Sequence, residues 1–291
     1  MTMISKGQRS TQGVTLVIVL WMVAALTILV TGLVYAQRSE LRLAGAARAQ
    51  LLVTAGGQAA LQLALQQIAG AAPAPGGFSR RSFDVDGRGI EVLLMPLSGL
   101  VDLNRAPPPL LADVFRLAGG LDEAAARGLA AAVQERRQRP PTGEQPGRFE
   151  LIEELLSLPG VDADLFAKIA PLLTTDSAGS GKVNPLAAPP EVLFILARGD
   201  AVLAQRIADQ REAGAIDTTR LEGNYIDATV SSRYRITAFV PEPGGSQWAV
   251  QRDVDLRAAA PGGPPWRTLR ASVRRLPAPD AVNVSMLHVG G

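Results

Sequence analysis

Gly13-Val14-Thr15-Leu16-Val17-Ile18 joins a short basic leader to a long apolar run. Residues 1–12 are polar and carry Lys6 and Arg9, whereas residues 14–35 contain no charged side chain. A helix of about 22 residues rising about 1.5 Å per residue matches a bilayer core of about 30 Å. Two basic residues precede the run, and Arg38 behind it is balanced by Glu40. The positive-inside rule therefore sets the leader in the cytoplasm and the rest of the chain outside. A secretory signal peptide would have an apolar stretch of about 7–15 residues closed by a small-residue cleavage site. Here the run is longer, and the small residue, Gly13, stands in front of it. From position alone, a plain membrane anchor with an incidental Gly13 remains open.

Beyond the apolar run, residues 36–68 keep helical spacing through Leu41, Ala44, Ala47, Leu51, Ala55, Leu61, Leu65 and Ile68. One helix is predicted from residue 14 to about 68, its second half packed on a sheet. Gly32, Gly45, Gly56 and Gly57 read as weak points, each costing about 1 kcal/mol relative to Ala. Pro73 and Pro75 end the helix. Alternating runs at 82–86 and 89–95 around Asp86-Gly87-Arg88 predict a β-hairpin. Its carboxylates Asp84, Asp86 and Glu91 are candidate calcium ligands, oxygen donors suiting that ion. The competing reading is a solvated strand face, because the Asp-x-Asp-x-Asp-Gly register of an ion-binding loop is missing.

From 104 to 215 the pattern is helical with Pro/Gly punctuation. Candidate helices are 107–118, 122–138, 149–158, 162–173, 189–197 and 200–213. Asn104 and Asn184 each precede a Pro-led amphipathic helix, a faint internal echo that falls short of a solenoid. Leu158-Pro159-Gly160-Val161 before a helix resembles a helix-hairpin-helix, whose backbone N–H groups can hold phosphate. Asp162 and Asp164 open that helix and would repel phosphate, and the block holds 12 Lys/Arg against 15 Asp/Glu. A structural use of the hairpin is therefore preferred to nucleic-acid binding. Strand alternation returns at 234–240, 248–254 and 268–273, and more weakly at 225–230. Arg233, Arg235, Arg252, Arg257, Arg267 and Arg270 are assigned to its solvent face, with a binding surface as the other reading.

The basic leader ending in Gly13, followed by a charge-free helix that turns amphipathic, resembles a type IV pilin or pseudopilin precursor. The resemblance implies that prepilin peptidase cuts after Gly13 and methylates the new N-terminus at Val14. Ordinary family members carry a Glu at the position of Ile18. A carboxylate there costs several kcal/mol in lipid and persists only where it is paired or functional. Its absence is characteristic of the minor pseudopilin K (GspK) family of type II secretion, in which a helical domain is inserted into a pilin fold. The implied fold is α+β: a pilin-like long N-terminal helix on an antiparallel sheet, with a large inserted all-α (helix-hairpin-helix/SAM-like) domain. The implied layout is leader 1–13, transmembrane and N-terminal helix 14–70, hairpin part 71–103, insertion 104–215, C-terminal strands 216–276 and a mobile tail 277–291.

On this resemblance the chain sits at the tip of a pseudopilus and nucleates it. Its partners are the I and J minor pseudopilins, the major pseudopilin, prepilin peptidase and the inner membrane, with the C-terminal part in the periplasm. A membrane-anchored DNA receptor of the competence type and a minor type IV pilin are the alternatives. Composition is compatible: 291 residues, 47% hydrophobic, support one anchor and one or two compact domains. Net charge is +2, so no single-sign field advertises a polyanion. There is no Cys, and the single His, His288, leaves no material for a Ser-His-Asp or Cys-His site. No Walker loop or His-Glu-x-x-His is present. A structural role without an organic cofactor is expected, and the adjacent Glu153-Glu154 pair reads as surface.

Overall fold

The computed structural model describes residues 11–71, 75–139, 147–212, 216–242, 245–257 and 263–276, without the side chains of 11–16, 30–47, 49 and 212. The leader residues 1–10 and the tail 277–291, with His288, lie outside this set. The chain divides into two units, residues 1–53 and 54–291. Helix α1, Thr11–Ala69, runs through both.

In the second unit, five strands form an antiparallel sheet: β1 (Ser79–Val85), β2 (Arg88–Pro96), β5 (Arg233–Pro241), β6 (Gln247–Asp255) and β7 (Arg267–Leu276). Their order is β1-β2-β5-β6-β7, every neighbour antiparallel. The hairpin β1–β2 turns on Asp86 and Gly87, with φ of +53° and +74°. These are the positive values of a two-residue primed turn, which Asp-Gly adopts at little cost.

The end of α1 covers one sheet face. Ala60, Leu61, Ala64, Leu65 and Ile68 are buried at helical spacing. By register, Val92, Ala238 and Val250 form one row across β2, β5 and β6 on that face. A Cβ on Gly57 would lie 2.5 Å from Val250 Cγ2, so this glycine is where helix and sheet approach most closely. Expected to be a weak point, Gly57 is the contact that brings the helix onto the sheet. Leu61, Leu65 and Ile68 face the core as the sequence predicts. Leu51 and Ala55, assigned to the same stripe, are exposed. A period of 3.6 carries them around the helix, away from the face set by Gly57 and Leu61.

Between β2 and β5 come two two-residue strands, β3 (Val101–Asp102) and β4 (Leu173–Thr174), paired in parallel, and the helices α2 (Pro108–Asp113), α3 (Glu123–Gln138), α4 (Ala163–Ile169), α5 (Pro190–Leu196) and α6 (Ala201–Glu212). They share one core built on Leu110, Val114, Phe115, Val133, Leu155 and Ile207. Two expected helices are shorter than their apolar patterns. Residues 152–157 form a 3₁₀ segment, because the Glu154 side chain takes the Glu150 and Leu151 amides and Pro159 follows at once. Helix α4 tightens into a 3₁₀ turn at Ala170–Leu172, where Pro171 has no N–H to give. The weak strand at 225–230 is absent: only an isolated parallel bridge joins Val183 to Ile226.

Candidate assembly site

Within the first unit, residues 17–29 of α1 are apolar around the whole helix and exposed on every side. Trp21 is 74% and Ile18 55% accessible. Thr27 donates its Oγ1 hydrogen to the Val23 carbonyl at 2.7 Å, satisfying its hydroxyl inside the helix. A helix that is hydrophobic all round is stable only among lipid tails or other apolar helices. Among the described residues no helix is long and apolar enough to cross a membrane. Residues 17–29 are the described centre of the charge-free run 14–35. Gly13 and Val14 lie in the helical backbone of α1, and their side chains fall outside the described set.

The second unit carries a polar seam that the sequence reading placed in water. Arg235, 6% exposed, pairs with Asp253 through Nε–Oδ1 and Nη2–Oδ2 contacts, both 3.0 Å. It also donates to the carbonyls of Pro171 at 3.3 Å and Leu173 at 3.5 Å. Arg233 bridges Asp255 at 3.0 Å and Asp176. Arg270 pairs with Glu153. These arginines are therefore not the solvated face that alternation suggested: the helical segment covers this side of the sheet, opposite α1. Burial would raise the carboxyls of Asp176 and Asp255. The hydrogen bonds from Arg233 and from the Ala178 and Arg257 amides outweigh it and hold both below their ordinary value.

Around the seam, Asp102 accepts from the Ser177 amide and hydroxyl at 2.9 and 2.8 Å, and Ser231 donates to the Ser177 carbonyl. Asn104 donates to the Phe149 and Thr175 carbonyls and accepts from the Phe149 amide. Asn184 accepts from the Leu186 amide at 3.0 Å, while its own amide donates to Ser98 O at 2.7 Å. The two echoed asparagines thus hold loops at separate places. A Cβ on Gly99 would lie 2.1 Å from the Ala187 carbonyl oxygen, so β2 is followed by a turn on which the segment before α5 rests directly. Of the Glu153-Glu154 pair, Glu153 lies on the surface as expected and pairs with Arg270, whereas Glu154 is half-buried against Arg136.

The hairpin carboxylates make contacts of their own. Asp84 accepts from the Gly87 amide within the turn. Glu91 lies 3.2 Å from Arg80. Asp86 occupies the turn corner. Among the described residues no three His, Cys, Asp or Glu side chains are grouped to hold a metal ion. At the hairpin, Asp162 caps α4 by accepting from the Leu165 amide at 2.8 Å. The N–H that a phosphate would seek is taken by the chain's own carboxylate.

No family model and no curated protein matches the chain. Among solved structures it is similar to a chain of the GspK-GspI-GspJ complex from the type 2 secretion system of enterotoxigenic Escherichia coli. The TM-score is 0.43 and the identity 15%, over 82% of this chain and 97% of that one.

Proposed function

We infer that the chain is a minor pseudopilin of a type II secretion system, anchored by residues 14–35 in the inner membrane with its second unit in the periplasm. The observation that carries this is the stretch 17–29: an apolar, fully exposed helix within the same α1 whose last turns pack on an antiparallel sheet. That arrangement gives one element two tasks, holding a folded periplasmic unit and offering an apolar helix to lipid or to neighbouring helices. Processing follows from the Gly13–Val14 junction. Cleavage by prepilin peptidase would free Val14 as the mature N-terminus. Ile18, uncharged where a filament-body subunit has Glu, suits a subunit with no neighbour above it, hence the tip. Partners are minor pseudopilins of the I and J types.

Co-expression with a prepilin peptidase tests it by mass. The chain should lose residues 1–13, and Gly13→Ala should abolish the loss. An unchanged mass for the wild type refutes processing. Ile18→Glu addresses placement: restoring the carboxylate should disturb nucleation or release the subunit from the tip, and wild-type nucleation with tip-only location would show that bulk, not charge, sets its position.

A further inference from the structure

The sheet has two open edges among the described residues, and they are not alike. On β1, Arg80 is paired with Glu91 and Arg81 donates to Gln67 at 2.8 Å. Strand β7 carries Arg267, Arg270, Arg274 and Arg275 and no carboxylate. Arg270 and Arg275 are bound to Glu153 and Glu242. Arg267 and Arg274 have no ion pair among the described residues. Among the described residues, backbone N–H and C=O groups on the outer side of β7 face no neighbouring strand, an arrangement that invites a further strand unless charge or a covering element prevents it.

The two faces of β7 differ with period two. Val273 pairs with Val250, on the side packed by α1, and is 41% exposed. Ala271 lies on the same side. On the other side are Arg270 and Arg274, in the rows of Asp253 and Ala249. An added strand would therefore set apolar side chains beside Ala271 and Val273 and, on the other side, carboxylates beside Arg274 and Arg267, the latter in the row of Asp255. In the antiparallel register centred on Ser272 a second copy of β7 would oppose Arg270 to Arg274, and like charges directly opposed are destabilising. We propose that β7 is a docking edge for an extended segment of a different protein in which acidic and apolar residues alternate. This holds whether or not the chain is a pseudopilin.

The test uses the full chain in detergent micelles and a capped synthetic peptide of roughly nine residues, alternating Glu and Val. Binding is read by fluorescence anisotropy and by hydrogen exchange of the β7 amides. The peptide should bind and slow exchange in β7, while a Lys/Val peptide of the same pattern should not bind. Arg267→Gln with Arg274→Gln leaves every pair described above intact and should weaken binding about fivefold. A peptide with its Glu and Val residues in separate blocks should lose the β7 protection. Failure of the Glu/Val peptide to bind, equal binding of the Lys/Val peptide, unchanged β7 exchange, or full affinity of the double variant each overturns the proposal.

Discussion

The two faces of the sheet are covered by different chemistry. On one, α1 meets β2, β5 and β6 through Gly57, Ala60, Leu61, Leu65 and valines, a contact made of shape. On the other, the helical segment meets β5 and β6 through Arg233, Arg235, Asp253, Asp255 and Asp176, a contact made of paired charge and carbonyl capture. Apolar packing tolerates small misfits, since side chains can repack at modest cost. The charged seam does not: each guanidinium has its partners assigned, and losing one leaves a buried charge alone. The sheet is thus held softly on one side and specifically on the other.

The largest expected effect tests the charged side. Arg235→Ala strands Asp253, 5% exposed, and should cost about 3–5 kcal/mol in equilibrium urea unfolding. Replacing both partners, Arg235→Met with Asp253→Leu, should recover most of that loss. If the double variant is as unstable as the single one, the carbonyl bonds to Pro171 and Leu173 matter more than the ion pair. Next comes the apolar side. Gly57→Val puts methyl groups where Val250 already stands and should cost about 1–3 kcal/mol through overpacking, again by urea titration. An unperturbed midpoint would mean that α1 can slide on the sheet.

The smallest effect is acid sensitivity. Asp176 and Asp255 have folded pKa values below their unfolded ones, so their contribution is fully present above about pH 4 and is lost as pH falls through the folded values. Asp176→Asn should therefore flatten the acid limb of the stability profile below about pH 4, leaving the alkaline side unchanged. Asp176 is 42% exposed on its side chain, so solvent screening keeps the effect modest. An acid limb identical to the wild type would place the loss on other carboxylates.

The difference between the faces also explains what could be read from sequence. Alternation in 234–240 and 248–254 and the Asp86-Gly87 turn gave the strands and the hairpin, because both signals are local. Leu61, Leu65 and Ile68 gave the helix stripe for the same reason. Alternation sorts residues onto two faces and does not say what lies over either. Alternation alone therefore puts Arg233 and Arg235 in water, while the cover over Arg235 comes from Pro171 and Leu173, far away in the chain. The parallel β3–β4 pair, four residues in all, is too short to show a period. Within the candidate site, the apolar run around Ile18 was plain from its lack of charge. The fate of Asp84 and Glu91 was not, since it depends on the turn amide and on Arg80 across the hairpin. The sequence does carry one signal for the seam: Arg233 and Arg235 alternate in step with Asp253 and Asp255, the pattern of a charge ladder across two strands.

The pairing of β2 with β5 has a consequence for how the chain reaches its native state. Glu91 lies opposite Phe239, with the whole helical segment between them in sequence. The central joint of the sheet cannot close until that segment has condensed, and closing so long a loop is slow. Meanwhile the finished β1–β2 hairpin presents the apolar side chains of Val92 and Leu94 and an unmated edge. During synthesis, the chain passes through an interval in which its most adhesive strand is complete and its partner has not arrived. The span of the helical segment sets how long that interval lasts.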